Sequence, residues 1–211
     1  MNITIFGGTG AAGLLTIEKA LNSGYKVTAY GRNADKITLR HENLSLAKGE
    51  LDDTEKIQAV IDGADAVISL LGPKEKAKDT VIANGYRNII AAMQKSGPRR
   101  LITAVSSSYR DPKDRFQFMV SFGMVMLKVI GPSILKDILT TGDLIRNSGL
   151  DWTMARLPML KNSPGEGNLH IGYTGDGKFN FFKLTRTDLA EFLVDQVKST
   201  SYLKQAPAIS N

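Results

Sequence analysis

The chain has 211 residues, 42% of them hydrophobic and 23% charged, with a net charge of +6 at pH 7. That length suits a single α/β domain spanning residues 1–211 with a sizeable core, and the composition is that of an ordinary globular protein. There is no cysteine, which excludes disulfides, thiolate nucleophiles and thiolate metal sites, and the scattered positive charge lacks the aromatic-interleaved runs of a nucleic-acid surface.

The first predicted strand, around Ile3, Ile5 and Phe6, runs straight into Gly7-Gly8-Thr9-Gly10-Ala11-Ala12-Gly13. An amphipathic helix follows, with Leu14, Leu15, Ile17, Ala20 and Leu21 read as its apolar side. Asn22-Ser23-Gly24 stops it, and a second strand covers Lys26 to Tyr30. A third short strand, Leu44 to Ala47, leads through Gly49 and Glu50 to a helix carrying Ile57, Val60 and Ile61. The fourth strand, Ala66 to Leu71, is apolar on both faces, as a buried parallel strand should be, and stops at Gly72-Pro73.

A long helix is expected from Lys76 to Lys95, then a fifth strand from Arg100 to Val105 ending at Ser106-Ser107-Ser108. Two helical patterns, Arg115 to Val129 and Ile134 to Asn147, are divided by Gly131-Pro132. A sixth strand covers Asp151 to Arg156, and a Gly/Pro/Asn-rich loop runs from Pro158 to Gly167. Short strands are expected at Leu169 to Tyr173 and Phe179 to Phe182. The last helix, Thr187 to Lys198, is capped by Thr185 or Thr187. Strand and helix alternate with short joints, which implies a three-layer, doubly wound parallel sheet of the Rossmann type in one domain.

Such sheets bind ligands beyond the carboxyl ends of their strands. A strand, a glycine turn and a helix N-terminus in that order form a phosphate cradle, so Gly7, Gly8, Thr9, Gly10, Ala12 and Gly13 are candidate cofactor-binding residues. After the second strand an NAD-selective site would carry a carboxylate. Here Arg32 and Lys36 stand instead, suiting a 2′-phosphate and hence NADPH, although two cations also suit an exposed helix start. Glu50 and Leu51 fall on the adenine side, and Leu71, Gly72 and Ser106 on the ribose and nicotinamide side. Ser107 is the candidate catalytic hydroxyl.

Tyr109 and Lys113 match a Tyr-x-x-x-Lys spacing, but Asp111-Pro112 denies them the helical turn that would bring phenol and ammonium together. His41 and His170 lack metal-ligand partners at useful spacing, so no metal site is expected. The Phe/Met-rich stretch from Phe116 to Ile130 reads as core or a dimer face, with a lid over a flat ligand as the alternative. It carries Lys128 and is too short to span a bilayer, so no membrane partner is expected. No signal-peptide pattern precedes the first strand, and a cytoplasmic location is the expectation.

The residues Ile5 to Gly13, Gly24-Tyr25-Lys26-Val27-Thr28 with Arg32, and Asp65 to Gly72 resemble the atypical short-chain dehydrogenase/reductases of NmrA-like character. Arg87 to Met93, Ser107 followed by Asp111-Pro112, Arg146 to Leu150, and Asp188-Leu189 extend that resemblance over nearly the whole chain, most closely to its biliverdin reductase B, or NADPH flavin reductase, branch. The resemblance implies NADPH held by Gly7, Thr9, Gly10, Ala12, Gly13, Arg32 and Lys36, with Ser107 near the hydride-transfer site. It implies a reductase of flavins, quinones or a tetrapyrrole-like acceptor that works without a Tyr/Lys pair. Two departures lie on the substrate side: extra residues around Phe116 to Pro132, and Met159 where a histidine is expected. The rival expectation is a non-catalytic NADPH-sensing regulator of the NmrA type. An epimerase or dehydratase is disfavoured for want of a true Tyr/Lys pair, and a homodimer is left open.

Overall fold

The computed structural model describes residues 1–72 and 81–211. Its centre is an eight-stranded, mostly parallel sheet between two helical layers. The chain begins in the middle of it with β1 (Asn2–Phe6), whose burial on both faces follows from Ile3 and Ile5 packing to one side and Phe6 to the other. From there it winds outward through α1 (Ala11–Asn22), β2 (Lys26–Gly31) and β3 (Leu44–Lys48). It then returns through α2 (Thr54–Ile61) to β4 (Ala66–Ser69) on the other side of β1. The sheet grows on through α3 (Val81–Ser96), β5 (Arg100–Ser106), α4 (Phe118–Ile130), α5 (Pro132–Arg146) and β6 (Asp151–Leu157). The small strands β7 (Leu160–Lys161), β8 (His170–Gly172) and β9 (Leu184–Thr185) follow, then α6 (Arg186–Asp195) and β10 (Ala208–Ser210).

The sheet order is β3-β2-β1-β4-β5-β6-β10-β8, so the winding reverses between β1 and β4, where a ligand crevice belongs. One core, with Ile17, Phe192 and Leu193, lies between the sheet and helices α1 and α6. A second core, with Ile57, Tyr86, Ile89 and Ile145, lies under α2, α3 and α5. Pro132 opens α5 at a position where its missing N–H costs nothing.

The expected elements stand, with several corrections. The sheet is not wholly parallel, because β8 runs antiparallel to β10 at the edge. The expected start of α3 at Lys76, together with Pro73, lies outside the described residues. Leu14 is 40% exposed, and the inner face of α1 is completed by buried Thr16, whose hydroxyl bonds the Ala12 carbonyl. No strand forms at Phe179 to Phe182, because side chains take its backbone N–H groups: Asp176 binds that of Phe179, Ser210 that of Asn180, and Asn180 that of Phe182. The last helix is α6, capped by Thr185, whose hydroxyl accepts the Asp188 N–H. Core is the wrong reading for α4, since only Val120 of its residues is buried.

Candidate active site

The turn after β1 needs glycine for three separate reasons. Gly7 has φ +81°, and a Cβ there would stand 2.9 Å from the Leu70 carbonyl carbon. A Cβ on Gly13 would stand 2.3 Å from the Gly7 oxygen and 2.8 Å from the Gly8 Cα, so α1 closes against the loop itself. Gly8 is buried, and a Cβ there would stand 2.8 Å from the Ile17 side chain, so its small size serves packing against α1. Gly10 differs, because the nearest atom to a Cβ there is the Gly7 oxygen at 3.5 Å. Nothing in the fold demands glycine at that point. It also stands at the N-cap of α1 with no side-chain cap, and no acid follows in the first turn. Thr9 is exposed beside it. The first-turn N–H groups and the partial positive charge of the helix are therefore free for an anion.

Beside this loop a cleft of about 410 Å³ opens over the ends of β1, β4, β5 and β6. Gly7, Gly10, Ala12 and Gly13 form one wall, Leu71 and Gly72 follow β4, and Ala104, Val105 and Ser106 end β5. Leu157 ends β6, Pro158 and Leu160 follow it, and Ile138 and Thr141 of α5 complete the lining. Among the described residues the lining is mainly apolar, and three of its four polar side chains already have partners. Asp137 accepts the N–H groups of Ile82 and Ala83 at 3.2 and 2.8 Å. Arg186 donates to Asn162 at 2.6 Å, and the Ser106 hydroxyl is engaged with Ser108. Thr141 is the exception: it is 4% exposed, and its hydroxyl has no hydrogen-bond partner among the described residues. Leaving such a group unpaired costs about 1–3 kcal/mol, which a ligand atom in the cleft would recover.

Arg32, Lys36, Glu50 and Leu51 stand outside this cleft, past the ends of β2 and β3. Arg32 Nε lies 3.7 Å from Glu50 Oε2, with both side chains more than half exposed. Lys36 is exposed in a short 3-10 turn, Ala34–Lys36. The Glu50 main chain is fixed from beneath by the Tyr30 hydroxyl, which donates to its carbonyl at 2.8 Å. Burial first, then the charges of Asp53, Glu50 and Asp52, push that phenol up to about 12. The Leu51 carbonyl accepts from Asn88 of α3 at 2.7 Å.

Ser107 is 3% exposed, its N–H is donated to the Leu157 carbonyl at 3.0 Å, and it is not part of the cleft lining; Ser106 is. Tyr109 and Lys113 do not meet. The buried Tyr109 hydroxyl donates to Asp143 and accepts from Arg146, both at 3.0 Å, whereas Lys113 lies over the Tyr173 ring. His170 is paired with Asp176 at 2.7 Å, and the His41 ring accepts the Asn43 N–H.

A family model described as NAD(P)H-binding matches residues 7–200. The chain belongs to this NAD(P)H-binding family. Solved structures share its fold over its full length. An oxidoreductase from Lactococcus lactis is 18% identical with a TM-score of 0.82, and 91% of that chain is covered. A short-chain dehydrogenase/reductase from Veillonella parvula in complex with NADP is 18% identical, with a TM-score of 0.79 and 94% coverage. An anaerobillin reductase from Escherichia coli O157:H7 is 19% identical, with a TM-score of 0.76 and 97% coverage. At these identities the likeness is one of fold. Within this NAD(P)H-binding protein, the glycine cradle and the cleft it borders fit a nicotinamide dinucleotide on their own geometry.

Sequence reasoning missed the device that holds the segment after β5. Arg156 is fully buried on β6 and forks onto Asp114, at 2.5 Å from Nη1 and 2.8 Å from Nη2, while its Nε donates to the Ala206 carbonyl. Asp114 also accepts the N–H groups of Asp111 and Thr174 and the Arg110 Nε. Burial alone would raise its carboxyl, but Arg156 and those N–H groups hold it below the usual carboxylate range. This cluster pins the segment that follows Ser106. A charged residue inside the apolar run of β6 was the available signal, because a buried guanidinium requires a partner. Asp188 does the same for the loop after β6. It accepts the N–H groups of Glu166 and Gly167 at 2.9 and 3.2 Å.

Proposed function

We propose that this protein is an NADPH-dependent reductase that passes a hydride to a flat, electron-poor acceptor such as a flavin, a quinone or a tetrapyrrole. The observation that carries this reading is the apolar cleft beside the glycine cradle, furnished with hydroxyls and lacking a phenol–ammonium pair among the described residues. In this reading Gly10 and the first-turn N–H groups of α1 hold the pyrophosphate. Arg32 and Lys36 receive the 2′-phosphate, which displaces the weak contact of Arg32 with Glu50. Leu71, Gly72 and Ser106 flank the ribose and nicotinamide. Bound NADPH supplies the hydride, while the apolar walls exclude water and hold the acceptor face to face with the ring. Thr141, and Ser107 where the acceptor reaches it, donate hydrogen bonds to acceptor oxygen or nitrogen.

The flavin-reductase resemblance of the sequence supports this reading, and so does a neighbour titled an anaerobillin reductase, as an analogy of fold. The rival, an NADPH-sensing regulator, draws on the exposed apolar face of α4 as a docking surface. NADPH consumption with FMN, riboflavin and a series of quinones separates the two. The reductase turns over at least one acceptor and slows in Thr141→Val and Ser107→Ala. Tight NADPH binding with no turnover on any acceptor refutes it. For the cofactor, Arg32→Ala should weaken NADPH roughly 10–150-fold, the worth of a charge-assisted bond, and leave NADH nearly unchanged. Equal losses for both would remove the 2′-phosphate assignment.

A further inference from the structure

Helix α4 turns its most apolar face to solvent. Phe118, Phe122, Val125 and Val129 are 66%, 51%, 59% and 74% exposed. At the helical repeat they form one stripe about 60° wide. Ile130, 74% exposed, ends the helix to one side of the stripe. The opposite side of the helix is already occupied: Val120 packs with Phe179 and Ala208, and Gly123 faces the Phe181 ring. The stripe is therefore a surplus apolar surface of the kind that marks an interaction site.

The charges around it decide what covers it. From Pro112 to Lys136 the exposed charged residues are Lys113, Arg115, Lys128 and Lys136. The single acid, Asp114, is 1% exposed in its ion pair with Arg156. A two-fold dimer would set this patch against itself and bring it no exposed acid. An anionic lipid surface answers both features, with aromatic rings in the acyl boundary and cations at the headgroups. Among the described residues no helix is long and apolar enough to cross a membrane.

We propose that α4 lies in the interfacial plane of an anionic membrane and seats the protein on it. The covered side of α4 leads to the cleft through Phe181. The Phe181 carbonyl accepts the Met159 N–H at 3.0 Å, and Met159, 49% exposed, stands between the cleft residues Pro158 and Leu160. A lipophilic acceptor would then pass from bilayer to cleft without crossing water. That last consequence rests on the reductase reading; the seating does not.

The test is flotation of the full chain with phosphatidylcholine vesicles, with and without phosphatidylglycerol. The expected result is flotation on the anionic vesicles alone, weakened by salt. Neutralising Arg115, Lys128 and Lys136 to Gln should weaken binding roughly fivefold per cation, about 100-fold together. Phe118→Ser with Phe122→Ser should abolish it, with melting temperature and NADPH affinity unchanged because these side chains are exposed. Three results overturn the proposal: no flotation on anionic vesicles, flotation that survives these substitutions, or a wild-type dimer that Phe122→Ser converts to monomer, which assigns the stripe to a second copy. Turnover with water-soluble acceptors is read separately, so loss of seating and loss of the reductase reading are distinguishable.

Discussion

Gly10 and Gly13 lie three residues apart, and the structure gives them opposite fates on substitution by alanine. Gly10 has φ −78° and ψ 160°, an extended conformation that alanine adopts, and its new Cβ would meet only the Gly7 oxygen at 3.5 Å. Stability should therefore move by no more than about 1 kcal/mol, the net of a lost N-cap preference and a less flexible unfolded chain. The methyl would stand where the pyrophosphate approaches the backbone, and losing one charge-assisted bond there costs about 1.5–3 kcal/mol, roughly 10–150-fold in affinity. In Gly13→Ala the Cβ would stand 2.3 Å from the Gly7 oxygen and 2.8 Å from the Gly8 Cα, both backbone atoms with no rotamer to escape through. That overpacking should cost about 1–3 kcal/mol or more, or a fall of roughly 2–10 °C in melting temperature for a chain of this size. Thermal melts of the free proteins and fluorescence titration with NADPH measure the two effects. A Gly10→Ala protein that binds NADPH within twofold of the wild type would refute the cradle assignment. One that melts as low as Gly13→Ala would refute the packing argument.

Asp114→Ala strands the fully buried Arg156 guanidinium and should cost about 3–5 kcal/mol in urea unfolding. The double variant Asp114→Leu/Arg156→Met should recover most of that loss, and a single-variant loss below about 1 kcal/mol would show that the pair is not what pins the segment. Tyr109→Phe should leave turnover within a few-fold while lowering stability, because Asp143 and Arg146 lose a shared partner; a fall of 10²-fold or more, the scale of general acid catalysis, would restore Tyr109 as an acid. Asp176 is partly desolvated, but the N–H groups of Lys178, Phe179 and Tyr173 and the His170 ring hold its carboxyl down to about 2 from an ordinary 3.8. Asp114 and Asp188 are depressed as well. Their contribution is complete above the unfolded value and lost as pH falls through the folded one, so the urea midpoint should hold from pH 7 to about 5 and drop below about 4. Asp195, raised by burial, opposes that trend weakly, and a midpoint that rises on acidification would contradict the assignment.

The glycine turn of this NAD(P)H-binding protein was legible because it is built from local rules. Gly7 and Gly13 follow β1 closely, and the demand for glycine at each can be reasoned from a strand, a turn and a helix start without knowing the rest of the chain. Arg32 and Lys36 follow β2 in the same way. The far wall of the cleft and the segments around it are assembled across long sequence distances, which pattern reading does not reach. Asp137 of α5 holds the N–H groups of Ile82 and Ala83, Arg156 reaches Asp114, and Asp188 ties down Glu166 and Gly167. Thr141 looked like any helical threonine; only the packing of α5 over the ends of β5 and β6 turns its hydroxyl into an unpaired group in an apolar cleft. Helix α4 failed in the opposite direction. Its hydrophobicity was plain, but burial is decided by what stands opposite, and α5 with the Phe179 to Phe181 segment can cover only the inner half. The outer half, with Phe118, Phe122, Val125 and Val129, stays exposed. The glycine turn is thus written in the backbone grammar of the first strands, whereas the lining of the cleft depends on contacts that exist only once the chain has folded.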